Sequence, residues 1–310
     1  MVILTQDLHG LGNCLLQTSH FLVNAADTGY ELAIPAFERY APYFEATAGR
    51  RSFRFGPQTV QLELPGAVLR GLFRMLQWRG VATGLLRLPG LVRPLGLRLV
   101  GDLPVGDVDL NNAGFQVLAH DARCPLLVHG WQYRDKPGFA RHADLLRQFF
   151  RPVATHRAAV ARVLATNRAH ADVLVGVHIR RGDYAGWYAG AYLYAHATYA
   201  RVMHDIETLF PAGTRVRFLL FSNEPIPAEA FAAFDTGRAT NHELEDMYTL
   251  AGCDYIVGPL STYSMWASFY GRVPLCHLHR PDQPVASLGE FVVFQDQETM
   301  RWESEMAPQL

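Results

Sequence analysis

The sequence is poor in lysine: Lys136 is the only one among 28 cationic side chains, set against 29 anionic ones. The bias carries no functional meaning by itself, but every other positive charge is a guanidinium, planar and permanently charged. Charged residues are also scarce, at 18% of the 310, while the hydrophobic set reaches 49%. Disorder needs the opposite balance and is excluded as the bulk state. A net charge of −1 argues against a nucleic-acid binder, which is usually strongly basic. The four cysteines (Cys14, Cys124, Cys253 and Cys276) lie far apart and form no C-x-x-C pair. They read as reduced thiols of a cytoplasmic protein. No apolar run approaches the ~18 residues of a membrane span. The first twenty residues have no basic start and are broken by Asp7, His9, Gly10 and Gly12, so no signal peptide is expected.

At roughly 100–200 residues per domain, the length points to two domains or one large one. Residues 8–26 read as a glycine-rich turn feeding a helix, and 31–35 as a strand. Residues 56–110 differ in kind, with recurrent Gly and Pro and no acidic side chain between Glu63 and Asp102. Arg70, Arg74, Arg79, Arg87, Arg93 and Arg98 sit there among apolar residues and Trp78. That stretch reads as a variable insertion with solvated arginines. A sharper reading makes 64–101 a basic amphipathic patch for peripheral contact with an anionic membrane or a lipid-linked acceptor. A short apolar run at 126–128 and a helical pattern from 145 to 163 follow, with a break at Pro152.

From Asp172 the pattern is strand–helix alternation. Strands are expected at 173–179, 215–221, 255–257 and 273–278, and helices at 196–210, 227–234, 243–250 and 262–270, the last closed by Gly271. Apolar strands alternating with helices imply a parallel sheet covered on both faces. The boundary is expected near 155–171, giving an N-terminal domain over 1–165 and a C-terminal one over 166–310.

In such sheets ligands bind beyond the carboxyl ends of the strands. The strand at 173–179 runs into Arg180-Arg181-Gly182-Asp183-Tyr184, directly behind His178. Adjacent guanidiniums at a strand end call for an anion, and they bind phosphate bidentately. Pairing with Asp183 is the structural alternative, and because strand neighbours point opposite ways, only one arginine need face a site. Ser261, Thr262 and Ser264 open the helix after the strand at 255–257. Their hydroxyls either cap it or sit beside backbone N–H groups that receive an anion. Tyr184, Trp187, Tyr188, Tyr192 and Tyr194 crowd the stretch after the arginines, as a sugar-stacking platform or as an ordinary packed loop. His277 and His279 alternate on a strand, but with no third ligand they make no metal site.

These residues carry a resemblance. His178-Ile179-Arg180-Arg181-Gly182-Asp183-Tyr184 is similar to the H-x-R-R-x-D-Y signature of the α1,2-fucosyltransferases of glycosyltransferase family eleven. Gly10-Leu11-Gly12-Asn13 with Gln17 resembles that family's N-terminal GLGNQMFQYA segment. Gly130-Trp131-Gln132 with Lys136 and Phe139 is similar to its G-[YF]-[WF]-Q-S-E-K-Y-F element. Phe218–Ser222 resembles F-x-x-F-S-D, with Asn223 in place of Asp. Glu245-Asp246-Met247-Tyr248 before Cys253, and Ser261 to Trp266, resemble the two remaining elements. Departures are Cys14 where the family has Gln and Met265 in place of its first Trp.

The resemblance implies an α/β fold of GT-B architecture, two Rossmann-like domains with a cleft between them. It implies GDP-β-L-fucose as donor, a glycan acceptor, inversion at the anomeric carbon and no required metal or other cofactor. Residue by residue, Arg181 with Arg180 would hold the diphosphate, and His178 and Asp246 would contact guanine. Ser261, Thr262 and Ser264 would contact phosphate or fucose, and Gly10, Gly12 and Asn13 would form a loop at the cleft. Asp183 and His196 are the candidates for the base, since residues 184–204 contain no Asp or Glu; Asp183 could instead orient the arginines. The alternatives are an α1,6 or O-linked outcome on the same fold, another GDP-sugar, or a non-catalytic nucleotide-sugar-binding protein.

Overall fold

The computed structural model describes residues 1–6, 10–64, 71, 73–74, 97–101, 107–130 and 132–295. The chain divides between Val153 and Ala154 into two α/β units. The sequence predicts a division at 165/166. The helix over Ala154–Arg168 lies whole in the second unit because it packs there against the helix over Glu243–Leu250.

In the first unit, strands β1 (Val2–Leu4), β2 (Leu32–Ala33), β3 (Ser52–Phe55), β4 (Gln58–Gln61), β5 (Arg98–Gly101) and β7 (Leu126–His129) form one sheet. Their order is β3-β4-β2-β1-β7-β5, and all neighbours are parallel except β3 with β4. Helix α1 (Leu11–Thr28) joins β1 to β2, the crossover that a parallel pair requires. Ile3, Ala33, Leu99 and Leu127 meet Leu64 and Leu97 in a buried apolar cluster. β6 (Val108–Asp109) and β8 (Tyr133–Arg134) make a separate parallel pair. Helices α2 (Ala113–Ala119), α3 (Lys136–Arg141) and α4 (Ala143–Phe149) also lie in this unit.

Both ends of the expected insertion at 56–110 therefore belong to the main sheet. β4 pairs with β2 and β5 with β7, which the Gly- and Pro-rich composition concealed. Arg98 lies in β5, pairs with Asp121 at 3.3 Å and keeps its side chain 41% accessible. Arg70, Arg79, Arg87, Arg93 and Trp78, like Trp131 and Asp7 to His9, lie outside the described residues. No helix among the described residues is long and apolar enough to cross a membrane.

The second unit begins with α5 (Ala154–Arg168) and continues β9 (Val173–Ile179), α6 (His196–Thr208), β10 (Val216–Ser222), β11 (Thr236–Arg238) and α7 (Glu243–Leu250). It ends with β12 (Tyr255–Pro259), α8 (Thr262–Gly271), β13 (Pro274–Leu278) and β14 (Val292–Val293). The sheet order is β11-β10-β9-β12-β13-β14, parallel throughout except for β14 at the edge. β9 is central, which explains its unbroken apolar run: every residue after Val173 is buried.

Two local expectations change. Residues 227–234 form only a short 3₁₀ turn, Ala228–Phe231. Gly271 does not close α8 in a left-handed conformation; Arg272 does, at φ +55°. Gly271 ends the helix itself, where an added Cβ would lie 1.9 Å from the Ala251 carbonyl oxygen. Only a residue without a side chain lets α8 approach the end of α7 so closely.

Candidate active site

Chain order leaves β9 for β10 and β11 on one side and resumes with β12 and β13 on the other. The carboxyl ends of β9 and β12 are thus the topological switch point of the second sheet, where ligands of open α/β sheets bind. Gly258 sets their spacing: a Cβ there would lie 2.7 Å from the His178 carbonyl oxygen.

His178, the last residue but one of β9, is buried beside Tyr263 of α8, with ring centroids 5.1 Å apart. Its Nδ1 has no hydrogen-bond partner among the described residues. Burial, then the charges of Arg180 and His277, lower its pKa from 6.5 to about 3. The folded protein therefore holds a neutral ring, while the unfolded chain takes up a proton below about pH 6.5. Stability contributed by this ring is complete above that pH and is lost progressively as pH falls toward 3. We expect the melting temperature to drop between pH 7 and pH 4.5, and to drop less in His178→Gln. Equal drops in thermal melts of the two proteins would refute this assignment.

The two arginines part company. Arg180 lies over the Tyr184 ring at 5.6 Å and pairs with Asp183 at 2.8 Å. Tyr184 donates its hydroxyl hydrogen to the Leu260 carbonyl at 2.6 Å, just past β12, and its pKa is pushed up to about 12, chiefly by burial. Stacked on Tyr184, which is anchored to Leu260, Arg180 lies on the β12 side of the switch point. Arg181 turns toward β10. Its Nε donates to Glu224 at 3.2 Å and its Nη1 to the Tyr194 carbonyl at 3.0 Å. Its backbone N–H donates to the Asn223 side chain at 2.9 Å. Alternation along an extended strand end separates the side chains; the neighbouring strands decide what each one meets.

Around this point the structure gathers most of the expected residues, with roles that differ among them. Ser261 caps α8, accepting from the Tyr263 N–H at 3.3 Å. Ser264 is buried and donates to the Ser261 carbonyl at 3.0 Å, so its hydroxyl closes the first turn of α8. Thr262 is the first residue of that helix, and ten residues suffice to aim N-terminal amides outward. Asp246 on α7 is buried and accepts from the Thr240 N–H at 2.9 Å and hydroxyl at 3.0 Å. Burial raises its pKa against those hydrogen bonds. Tyr263 links α8 to α7 by donating to the Glu243 carbonyl at 2.7 Å. Sequence reasoning passed over Glu224 and singled out Tyr263 only within a motif. Glu224 is reached only through the β9–β10 pairing, while Tyr263 carries a local signal, its place as the second residue of a helix behind a capping serine.

Of the two candidate bases, Asp183 is engaged with Arg180 and largely exposed, with its side chain 59% accessible. His196 stands at the start of α6, its pKa lowered by burial and by Arg181. His277 and His279 lie with ring centroids 6.2 Å apart. Among the described residues, the one group of metal-ligand composition is His156, His242 and Glu245, whose ligand atoms lie within 4.8 Å of one another. His156 Nδ1 and Glu245 share a hydrogen bond at 2.9 Å. His242 Nδ1 accepts the Leu244 and Glu245 N–H groups as the cap of α7. A ligating histidine normally donates from its second nitrogen, whereas here that nitrogen faces donors. The trio reads as a hydrogen-bonded junction of α5 with α7.

In the first unit, Gly10 caps α1, Gly12 is buried in its first turn and Asn13 is half-buried there. The motifs at 10–17 and 130–139 meet. Gln17 donates to the Gly130 carbonyl, the His20 and Phe139 rings lie 5.0 Å apart, and the Asp135 N–H donates to His20 Nδ1 at 3.1 Å. Asp107-Val108-Asp109, the D-x-D in this sequence, is structural. Asp107 pairs with Lys136 at 3.2 Å, and Asp109 accepts the Asn111 N–H at 2.8 Å.

A family model for glycosyl transferase family 11 matches residues 120–286, more than half of the chain. The chain belongs to glycosyl transferase family 11. This transferase is similar in structure to a mutant Arabidopsis thaliana FUT1 in complex with GDP, with a TM-score of 0.59 and 16% identity over 94% of this chain and 73% of that one. It is similar to the fucosyltransferase NodZ from Bradyrhizobium, with a TM-score of 0.55 and 14% identity over 92% of this chain and 97% of that one. A NodZ alpha-1,6-fucosyltransferase soaked with GDP-fucose gives 0.56 and 15% over 89% and 94%. No curated protein sequence matches at a significant level. At such identities the likeness carries the fold: two Rossmann-like units of the GT-B type.

Proposed function

We propose that this family 11 glycosyltransferase moves L-fucose from GDP-β-L-fucose to a glycan hydroxyl, with inversion and with an α1,2 linkage to a galactoside as product. The carrying observation is the grouping of Arg180, His178, Tyr263 and the N-terminus of α8 at the β9/β12 switch point. The neighbours solved with GDP or GDP-fucose support that donor class. The hard step is departure of GDP from an oxocarbenium-like sugar. A fixed guanidinium and helix N-terminal amides stabilise the charge growing on the β-phosphate without transferring a proton. Asp183 steadies Arg180 rather than removing the acceptor proton. His196 is the weak base within the same loop region, and a loose transition state with late proton loss asks little of it. Donor binding needs no metal ion in this scheme, because cationic side chains and amides meet the diphosphate directly.

The purified protein supplied with GDP-fucose and a panel of β-galactosides should release GDP in an acceptor-dependent way and yield α1,2-linked product by NMR. Turnover giving only α1,6-linked product would overturn the linkage. Absence of both turnover and GDP-fucose binding would overturn the donor.

A further inference from the structure

The loop from β9 to α6 carries an aromatic group that donor binding does not use. Trp187 lies 4.7 Å from Tyr184, 4.9 Å from Tyr188 and 5.2 Å from Tyr192 between ring centroids. The inner members are tied down: Tyr184 donates to Leu260 past β12, and Tyr194 donates to Leu278 at the end of β13. The outer member faces solvent: Tyr188 is 43% exposed and is one of three exposed large hydrophobic residues among those described. Ring contacts thus run continuously from the Arg180 guanidinium over Tyr184 to Trp187 and out to Tyr188.

The backbone presenting this edge is strained. Tyr188 and Ala189 are consecutive left-handed residues, at φ +45° and +52°. That conformation is unfavourable for any side chain with a Cβ and persists only where the surroundings impose it. Gly186 and Gly190 flank the pair, yet the left-handed positions carry Tyr and Ala. A loop selected only to turn would place glycine there. Residues 184–195 also contain no charged side chain. A nucleic-acid strand or an anionic membrane would want free cations beside the exposed rings, whereas Arg180, at the inner end over Tyr184, is paired with Asp183; one exposed ring edge is far too small for a protein interface. The occupant that suits a neutral aromatic ledge beside a sugar-nucleotide site is a neutral ring with an apolar face and a polar rim.

We propose that Trp187 and Tyr188 form the stacking face for a pyranose ring of the acceptor saccharide. This rests on the glycosyl-transfer reading, and it assigns the loop 184–195 to acceptor recognition, with the strained 188–189 pair holding the ledge in place.

The test is saccharide binding measured without donor. Saturation-transfer NMR of the wild-type chain with lactose and other β-galactosides should show contact, with dissociation constants in Tyr188→Ala and Trp187→Ala raised about ten-fold, the scale of one aromatic stacking contact. Trp187→Phe should recover most of the loss, which a merely structural tryptophan would not predict for binding. Because Tyr188 is exposed, its replacement tests the idea even if Trp187→Ala fails to fold. No saccharide contact in wild type, or affinities unchanged in Tyr188→Ala, would overturn the proposal. Calorimetric titration of the wild-type chain with GDP separates the two readings: loss of GDP binding alone sinks the donor assignment and leaves the saccharide result to stand or fall by itself.

Discussion

Arg180→Ala is expected to slow acceptor-dependent GDP release at least about 100-fold, the scale of removing one strong transition-state charge contact. Strand spacing does not choose between Arg180 and Arg181, and the family resemblance puts Arg181 first as the diphosphate ligand. The structure adds direction. Arg180 faces the β12 side, over Tyr184 and near the capped start of α8. Its partner Asp183 is exposed, and an ion pair in water is weak enough to yield to a diphosphate. Arg181 is held by Glu224, the Tyr194 carbonyl and Asn223, a setting that positions a residue more than it offers one. Arg181→Ala should therefore cost less than Arg180→Ala, with circular dichroism confirming that both variants fold. Near wild-type turnover in Arg180→Ala would remove the diphosphate site from the switch point. A larger loss in Arg181→Ala would return the role to the β10 side.

The second large effect is on stability, in the first unit. Asp135 is fully buried, and its carboxyl oxygens accept from Asn24 at 2.9 Å, Asn111 at 2.9 Å and the Gly138 N–H at 2.8 Å. It is the N-cap of α3 and, through its own N–H, the partner of His20 on α1. Asp135→Ala strands the buried donors of Asn24 and Gly138 and removes a cap, so about 3 kcal/mol of destabilisation is expected. Calorimetry should show the corresponding transition lowered by about 6–12 °C. Asp135→Asn should recover little of this, because an amide NH₂ must face Asn24 or Asn111, which are already donating. A drop of less than about 2 °C in the alanine variant would show the network to be dispensable.

Much of the second unit is legible from local pattern. Its strands at 173–179 and 273–278 and its helices at 243–250 and 262–270 follow from apolar runs, periodicity and one capping serine, and the structure has them within a residue or two. The first unit is less legible. β4 contains only one buried residue, Val60, and β5 follows a Pro-rich stretch, so neither shows the alternation that marks a strand. Their membership of the sheet comes from pairing with β2 and β7, which are distant in sequence. The Asp135 network was equally invisible: an acidic residue ahead of a lysine looks like surface until Asn24, Asn111 and His20 converge on it.

The amino-acid order by itself determined the chemistry available here: arginines behind a buried strand, hydroxyls at a helix start, aromatic residues in a loop without charge. These follow from short-range periodicity and composition, which act within one element. Tertiary structure alone decided what each group meets. Alternation on a strand settles that Arg180 and Arg181 diverge, but only the sheet order β10-β9-β12 turns one toward Tyr184 and the α8 terminus and the other toward Glu224. In the first unit, segments distant in sequence likewise meet to bury Asp135 among its donors. Direction and desolvation arise from which elements become neighbours, a property of the folded chain and of no segment taken singly.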